Sequence, residues 1–205
     1  MNPGLRTAIV NAKADNVPNA NIDKAIKKGS GSDKDGVSYE EIMYEGFGPV
    51  GTAIYIQVIT DNKNRAVSSV KNALTKNGGN LGAAGTVGWM FERKGMIVAK
   101  AGGLDPEEAE LIAIDAGAED LEVDDGNFEI TTDPTELMKI KDTLDNAGFS
   151  VERAELVFLP KDPVKLKSAE DAKRVLKLMD AIEDEEDVNE VYSNFDIPEE
   201  IMESL

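Results

Sequence analysis

Apolar positions at Leu5, Ala8, Ile9 and Ala12 recur at i, i+3, i+4 and i+7, which predicts a helix with Pro3 at its first position behind an Asn2 cap. Asn16-Val17-Pro18 interrupts it and starts a second helix with Ile22, Ala25 and Ile26 inward. Lys24, Lys27 and Lys28 gather near its end, where cations complement the helix dipole, and Gly29 terminates it. The polar run Ser30–Gly36 reads as a linker and a domain boundary. Two strands follow, Tyr39–Phe47 and Thr52–Thr60, joined by Gly48-Pro49-Val50-Gly51 in the manner of a hairpin. In the second, Ile54, Ile56 and Val58 face one way and Tyr55 and Ile59 the other, so both faces are expected to be covered. Between Arg65 and Lys76, Ala66, Val67, Val70, Ala73 and Leu74 form a helical stripe; at 100° per residue Arg65, Asn72 and Lys76 lie together away from it. Thr86–Glu92 reads as a strand with Val87, Trp89 and Phe91 on one face.

The pattern then repeats. Met96–Lys100 is a strand, and Asp105-Pro106 opens a helix that runs to Ala116-Gly117. Strands Leu121–Val123 and Phe128–Thr131 precede a second helix opened by Asp133-Pro134 and closed by Ala147-Gly148, and Val151–Leu159 completes the set. Both helices carry an Asp cap, Pro at the first position, Glu at the third and Gly past the end. The order βαββαβ is that of a ferredoxin-like split βαβ unit. A Ser168-capped helix with Ala172, Val175, Leu176, Met179 and Ile182 inward, and a strand Glu190–Phe195, come last. Residues 37–94 alone give only ββαβ, so this last pair is expected to complete their sheet, with the βαββαβ unit as an insertion. The fold class is therefore α+β. A helical domain spans 1–36, a second domain 37–94 plus 163–205, and an inserted ferredoxin-like domain 95–162.

Charge changes the picture more than overall composition does. The net charge is −18, yet residues 1–100 hold 13 Lys+Arg against 9 Asp+Glu, while residues 101–205 hold 9 against 31. Such a split points to a polyanionic partner for the first half, or else to an acidic half that only keeps the protein in solution. The chain contains neither Cys nor His, which removes thiol nucleophiles, histidine bases and the nitrogen and sulfur ligands of structural zinc. No apolar run approaches a membrane span and no signal core opens the chain, so a cytoplasmic protein is expected.

Other motifs fail on detail. Glycines at 79, 82, 85 and 88 suggest a phosphate loop, but the Walker order Gly-Lys-Ser/Thr is absent and a plain flexible loop fits better than a connection whose backbone closely approaches a partner. Asp120–Gly126 resembles a calcium loop, but Asp125 stands at the sixth position and Thr131 at the twelfth. The acidic run Asp184–Asp187 reads as a solvated turn, and no carboxylate pair stands out among 40 acids.

Five ordered strings carry a resemblance: Asn-Ile-Asp-Lys-Ala-Ile-Lys-Lys-Gly-Ser-Gly (21–31), Tyr-Glu-Glu-Ile-Met-Tyr-Glu-Gly-Phe-Gly-Pro (39–49), Thr-Asp-Asn-Lys-Asn-Arg (60–65), Lys-Asn-Gly-Gly-Asn-Leu-Gly (76–82) and Trp-Met-Phe-Glu-Arg-Lys-Gly (89–95). The chain resembles the YebC/PmpR family, which includes the mitochondrial translational activator of cytochrome c oxidase. That resemblance implies three domains, the third inserted into the second, and no enzymatic activity or cofactor. It also implies a basic Trp/Lys/Arg-rich helical segment of roughly forty residues ahead of Met1.

The reading that follows is a non-enzymatic, monomeric, nucleic-acid-binding regulator of gene expression, acting on promoter DNA, toward which the family label leans, or on ribosomal or transfer RNA. The alternatives are a ribosome-associated translation factor that contacts ribosomal or transfer RNA and relieves stalls, cytoplasmic or in the mitochondrial matrix of a eukaryote, and an acidic protein-interaction or small-ligand module. The candidate contacts are Lys24, Lys27, Lys28, Lys63, Asn64, Arg65, Lys76, Arg93 and Lys94. Few aromatics accompany these cations, so phosphate contact is expected rather than base stacking.

Overall fold

A computed structural model of the chain describes residues 3–30, 38–124 and 126–205. The expected Asn2 cap, the linker over 31–36 and Asp125 lie outside them. In chain order the elements are α1 (Pro3–Ala14), α2 (Asn19–Gly29), β1 (Glu40–Phe47), β2 (Ala53–Thr60), α3 (Lys63–Lys76), β3 (Asn80–Leu81), β4 (Phe91–Lys100), α4 (Pro106–Ala116) and β5 (Asp120–Asp124). They continue with β6 (Asn127–Thr132), α5 (Leu137–Ala147), β7 (Ser150–Pro160), β8 (Val164–Lys165), α6 (Ala169–Glu183), β9 (Val188–Ser193), β10 (Phe195–Asp196) and α7 (Glu199–Met202). The chain divides into two compact units, one of residues 1–30 and 93–158, the other of residues 31–92 and 159–205.

In the second unit the sheet order is β3-β1-β2-β9. β1 and β2 pair antiparallel without a break from Glu40↔Thr60 to Phe47↔Ala53. β9 pairs antiparallel with the far side of β2, so the last helix and strand do complete this sheet. Alternation places Ile54, Ile56 and Val58 on the face covered by α3 and α6, where they meet Val70, Leu74, Val175, Leu178 and Ile182, all fully buried. The other face is less covered than its alternation suggests. Tyr55 stacks on Phe91 there with centroids 5.5 Å apart, but Ile59 is exposed. Asn194 fastens the closing strand: its side-chain oxygen accepts from the Ala53 N–H at 2.7 Å, and its amide donates to the Asp162 carbonyl.

The first unit holds α1, α2 and the predicted ferredoxin-like order, with strands arranged β5-β6-β4-β7. Its core gathers Ile97, Phe128, Ile130, Ile140, Leu144 and Phe149, and the Phe128 ring meets the Phe149 ring edge-on. Asp105 caps α4 by accepting from the Glu107 N–H, as its Asp-Pro signal predicts. The second Asp-Pro behaves differently. Asp133 accepts from the Thr135 N–H and hydroxyl and holds a turn, and α5 begins only at Leu137.

Two local expectations need correction. Residues 86–90 form no strand: a short 3-10 turn occupies Gly88–Met90, and the third strand of the sheet is Asn80–Leu81. β3 can approach β1 because Gly46 has no side chain, since a Cβ there would lie 2.7 Å from the Asn80 carbonyl oxygen. Trp89 does not share the side of Val87 and Phe91 either; those two are buried while Trp89 is 66% exposed.

Candidate nucleic-acid interface

The predicted cations fall into both units. Lys63, Asn64, Arg65 and Lys76 belong to the unit built on β1 and β2, and Lys24, Lys27, Lys28, Arg93 and Lys94 to the other. Acidic and basic stretches are combined within a unit rather than divided between units. Residues 1–30 carry 5 Lys+Arg against 2 Asp+Glu, and the 93–158 segment of the same unit carries 6 against 17.

α3 begins where Asn62 turns its side-chain oxygen to the Arg65 N–H at 3.1 Å, a cap worth about 1 kcal/mol. Cations in a first helical turn oppose the helix dipole, so Lys63 and Arg65 need carboxylates nearby. Lys63 pairs with Glu40 at 2.7 Å, with both side chains more than half exposed. Arg65 is held more firmly. Its Nε and Nη2 donate to the two oxygens of Asp187 at 2.9 and 2.6 Å, and Nη2 also donates to Asp61 at 2.9 Å. Asp187 is 8% exposed, and the Arg65 hydrogen bond holds its carboxyl below the usual range despite burial. The same bond raises the Arg65 guanidinium above its ordinary value.

The expectation of Arg65 as a freely outward cation is corrected accordingly. Its side chain is 47% exposed, but its fork fastens the start of α3 to the segment between α6 and β9. Asn64 is exposed and its carbonyl accepts from the Ser68 hydroxyl. Lys76, in the last turn of α3, is exposed and has no ion pair or hydrogen bond among the described residues. The side-chain charges of Lys24 and Lys27 on α2 and of Arg93 on β4 likewise have no ion pair or hydrogen bond among the described residues, while the Lys27 carbonyl accepts from the Ser30 hydroxyl. Lys28 is exposed on the last turn of α2. Lys94 is 22% exposed and bridges to Glu119 at 2.9 Å.

The glycine-rich connection is neither a phosphate loop nor a slack one. The Glu45 carboxylate fills its cradle of N–H groups: Gly85 donates to one oxygen at 2.6 Å, and Val87 and Gly88 donate to the other at 2.6 and 2.7 Å. Glu45 is 7% exposed. Burial would raise its carboxyl, but the backbone donors outweigh burial and hold it below the usual range. Gly85 sits at φ +84, the left-handed region that glycine reaches without strain. An anion-binding nest is thus occupied by the protein's own acid. Nothing in the sequence marks Glu45, because its place in β1 follows the alternation of an ordinary strand.

Beyond this loop, Trp89 donates its indole N–H to the Thr86 carbonyl at 3.0 Å. Its own carbonyl accepts from Lys161 Nζ at 3.1 Å, and the Lys161 N–H donates to the Met90 carbonyl at 2.9 Å.

Comparison with known proteins gives a consistent relationship. The profile described as TACO1/YebC second and third domain matches residues 39–195, and that of the TACO1/YebC protein N-terminal domain matches residues 1–32. A protein of Fusobacterium nucleatum named a probable transcriptional regulatory protein is 50% identical over 204 residues, covering all of this chain and 82% of the relative. A Halothermothrix orenii protein of the same name is 46% identical over 207 residues, covering all of this chain and 81% of the relative. The crystal structure of a conserved hypothetical protein from Aquifex aeolicus superimposes with a TM-score of 0.89 at 43% identity, over 98% of this chain and 82% of that one. With a profile spanning most of its length and relatives near half identity throughout, the chain belongs to the TACO1/YebC family.

Proposed function

We propose that this chain is a non-catalytic regulator of gene expression that binds nucleic acid through phosphate contacts. The observation that carries the reading is a set of exposed cations, Lys24, Lys27, Lys76 and Arg93, without ion pairs among the described residues of a protein whose net charge is −18. An acidic chain that leaves such charges unneutralised keeps them available to a polyanion. Lys28 extends the α2 group, and Asn64, in the other unit, adds a neutral donor. Lys63 and Lys94 can join by exchange, since an exposed ion pair contributes only about 0–1 kcal/mol and a phosphate can replace its carboxylate. Arg65 is left out of the contact set because its guanidinium is committed to Asp187 and Asp61.

The names of the relatives support a role in transcriptional regulation, and promoter DNA is the target this reading assigns. On the same reading the chain is a cytoplasmic monomer of three domains, bounded at 36, 94 and 162. Absence of His and Cys from the sequence supports a binding role over nucleophilic or histidine-based catalysis. Retention of the full chain on duplex DNA and its sedimentation with ribosomes, before and after nuclease, test the proposal together. Retention on DNA supports the promoter reading, and nuclease-sensitive sedimentation without DNA retention moves the target to RNA. Absence of both overturns nucleic-acid binding.

A further inference from the structure

Trp89 is the only tryptophan of the chain and, at 66%, the most exposed of its described large hydrophobic side chains. An exposed aromatic ring on a mobile loop would be an ordinary surface feature, but this ring is fixed from three directions. Its indole N–H is tied to the Thr86 carbonyl. The preceding backbone is held by the buried Glu45 carboxylate through Gly85, Val87 and Gly88. Behind it Val87 and Phe91 are buried, and Phe91 stacks on Tyr55. Holding the indole this way removes the entropy that a flexible side chain would lose on binding.

We infer that Trp89 is a preorganised stacking platform for an unpaired nucleobase, with the exposed ammonium of Lys161 facing the phosphate that such a nucleotide carries. Two features favour a base over a protein partner. The connection leading to Trp89 is built of Gly82, Ala83, Ala84 and Gly85, which offer none of the large apolar neighbours that surround a protein-binding hot spot. A cation sits at the backbone carbonyl of Trp89, which complements a nucleotide and not an apolar side chain. The inference rests on the nucleic-acid reading above and deepens it: phosphate contacts supply affinity for any strand, and Trp89 adds a preference for strands with unpaired bases. It replaces the expectation that base stacking plays little part.

The test uses the full chain and two end-labelled probes of equal length, an oligouridylate and a duplex RNA, with binding read from probe anisotropy and stacking from the single tryptophan's emission. Quenching of Trp89 by the oligouridylate but not by the duplex is expected. Trp89→Ala should weaken oligouridylate binding on the order of tenfold at every salt concentration, leaving the salt slope unchanged, because stacking releases no counterions. Trp89→Phe should recover part of the loss, and Lys161→Ala should lower the slope instead. Since the indole is exposed, circular dichroism of these variants should match the parent. Oligouridylate binding that is equal for Trp89→Ala and the parent, without quenching, overturns the stacking site while leaving phosphate binding intact. Failure of the parent to bind either probe overturns the stacking site, and the nucleic-acid reading falls with it only if the chain is also not retained on duplex DNA.

Discussion

Replacing Glu45 by Gln keeps the side chain's size and removes its charge and one of its two acceptor oxygens. In the protein one oxygen serves Gly85 and the other serves both Val87 and Gly88. Whichever way the Gln amide is turned, its NH2 group faces at least one backbone donor, so one or two of the three bonds are lost. Bonds to a charged acceptor contribute about 1.5–3 kcal/mol each, and the survivors weaken to neutral ones. Val87 is fully buried, so water cannot replace its partner. A loss of about 2–4 kcal/mol follows, allowing for relaxation of Gly85 and Gly88 toward solvent. Urea denaturation followed by Trp89 emission measures the loss, and amide exchange at Gly85, Val87 and Gly88 locates it. The pH dependence has a definite sign. A carboxyl held below its ordinary value contributes fully above that value, 4.5 for Glu, and its contribution disappears as pH falls through the lower folded-state pKa. The Gln variant should lack that acid-dependent component. A stability change below about 0.5 kcal/mol, with unchanged exchange, would refute the pinned loop and leave a merely flexible one.

Arg65→Ala should lower the melting temperature, because it leaves the nearly buried Asp187 carboxylate without its fork, while nucleic-acid affinity stays close to that of the parent; thermal melting and a binding titration on one variant check both. Asn194→Ala strips the Ala53 N–H of its buried partner and should cost about 1–3 kcal/mol by denaturant unfolding. Val50 stands at φ +62, where a β-branched residue is strained, so Val50→Asn should raise stability by about 1 kcal/mol; a lower melting temperature would show that its packing matters more than its backbone.

Elements whose stabilisation is local were readable from the chain. The α3 stripe of Ala66, Val70, Ala73 and Leu74 and the Asp105 cap depend on neighbours three or four positions away, and periodicity records such neighbours. The completion of the first sheet by β9 was readable too, because residues 37–94 read as ββαβ alone, a helix and a strand short, even though the last strand of that reading lies at Asn80–Leu81 and not at 86–92. What escaped depends on distant partners. Arg65 meets Asp187 across 122 positions, and nothing in a helical wheel distinguishes a clamped arginine from a free one. Glu45 reaches a loop 40 positions on, and its three bonds turn a glycine-rich stretch that reads as slack into a fixed one. That fixation also sets Trp89 outward where strand alternation would have buried it. Lys24, Lys27, Lys76 and Arg93 were visible as cations, but their lack of described ion pairs emerges only from the fold.

The most direct test is the salt dependence of nucleic-acid binding by the full chain and by a variant carrying Lys24→Ala, Lys27→Ala, Lys76→Ala and Arg93→Ala. Each phosphate contact contributes roughly 0.7–0.9 to the slope of log affinity against log salt, so the four replacements should flatten that slope by about 3. All four side chains are exposed, so the melting temperature should hardly change. A parent that binds with a steep slope and a stable variant with a flattened one is the predicted result. A variant whose slope and affinity equal the parent's would contradict the assignment of these cations to phosphate contact.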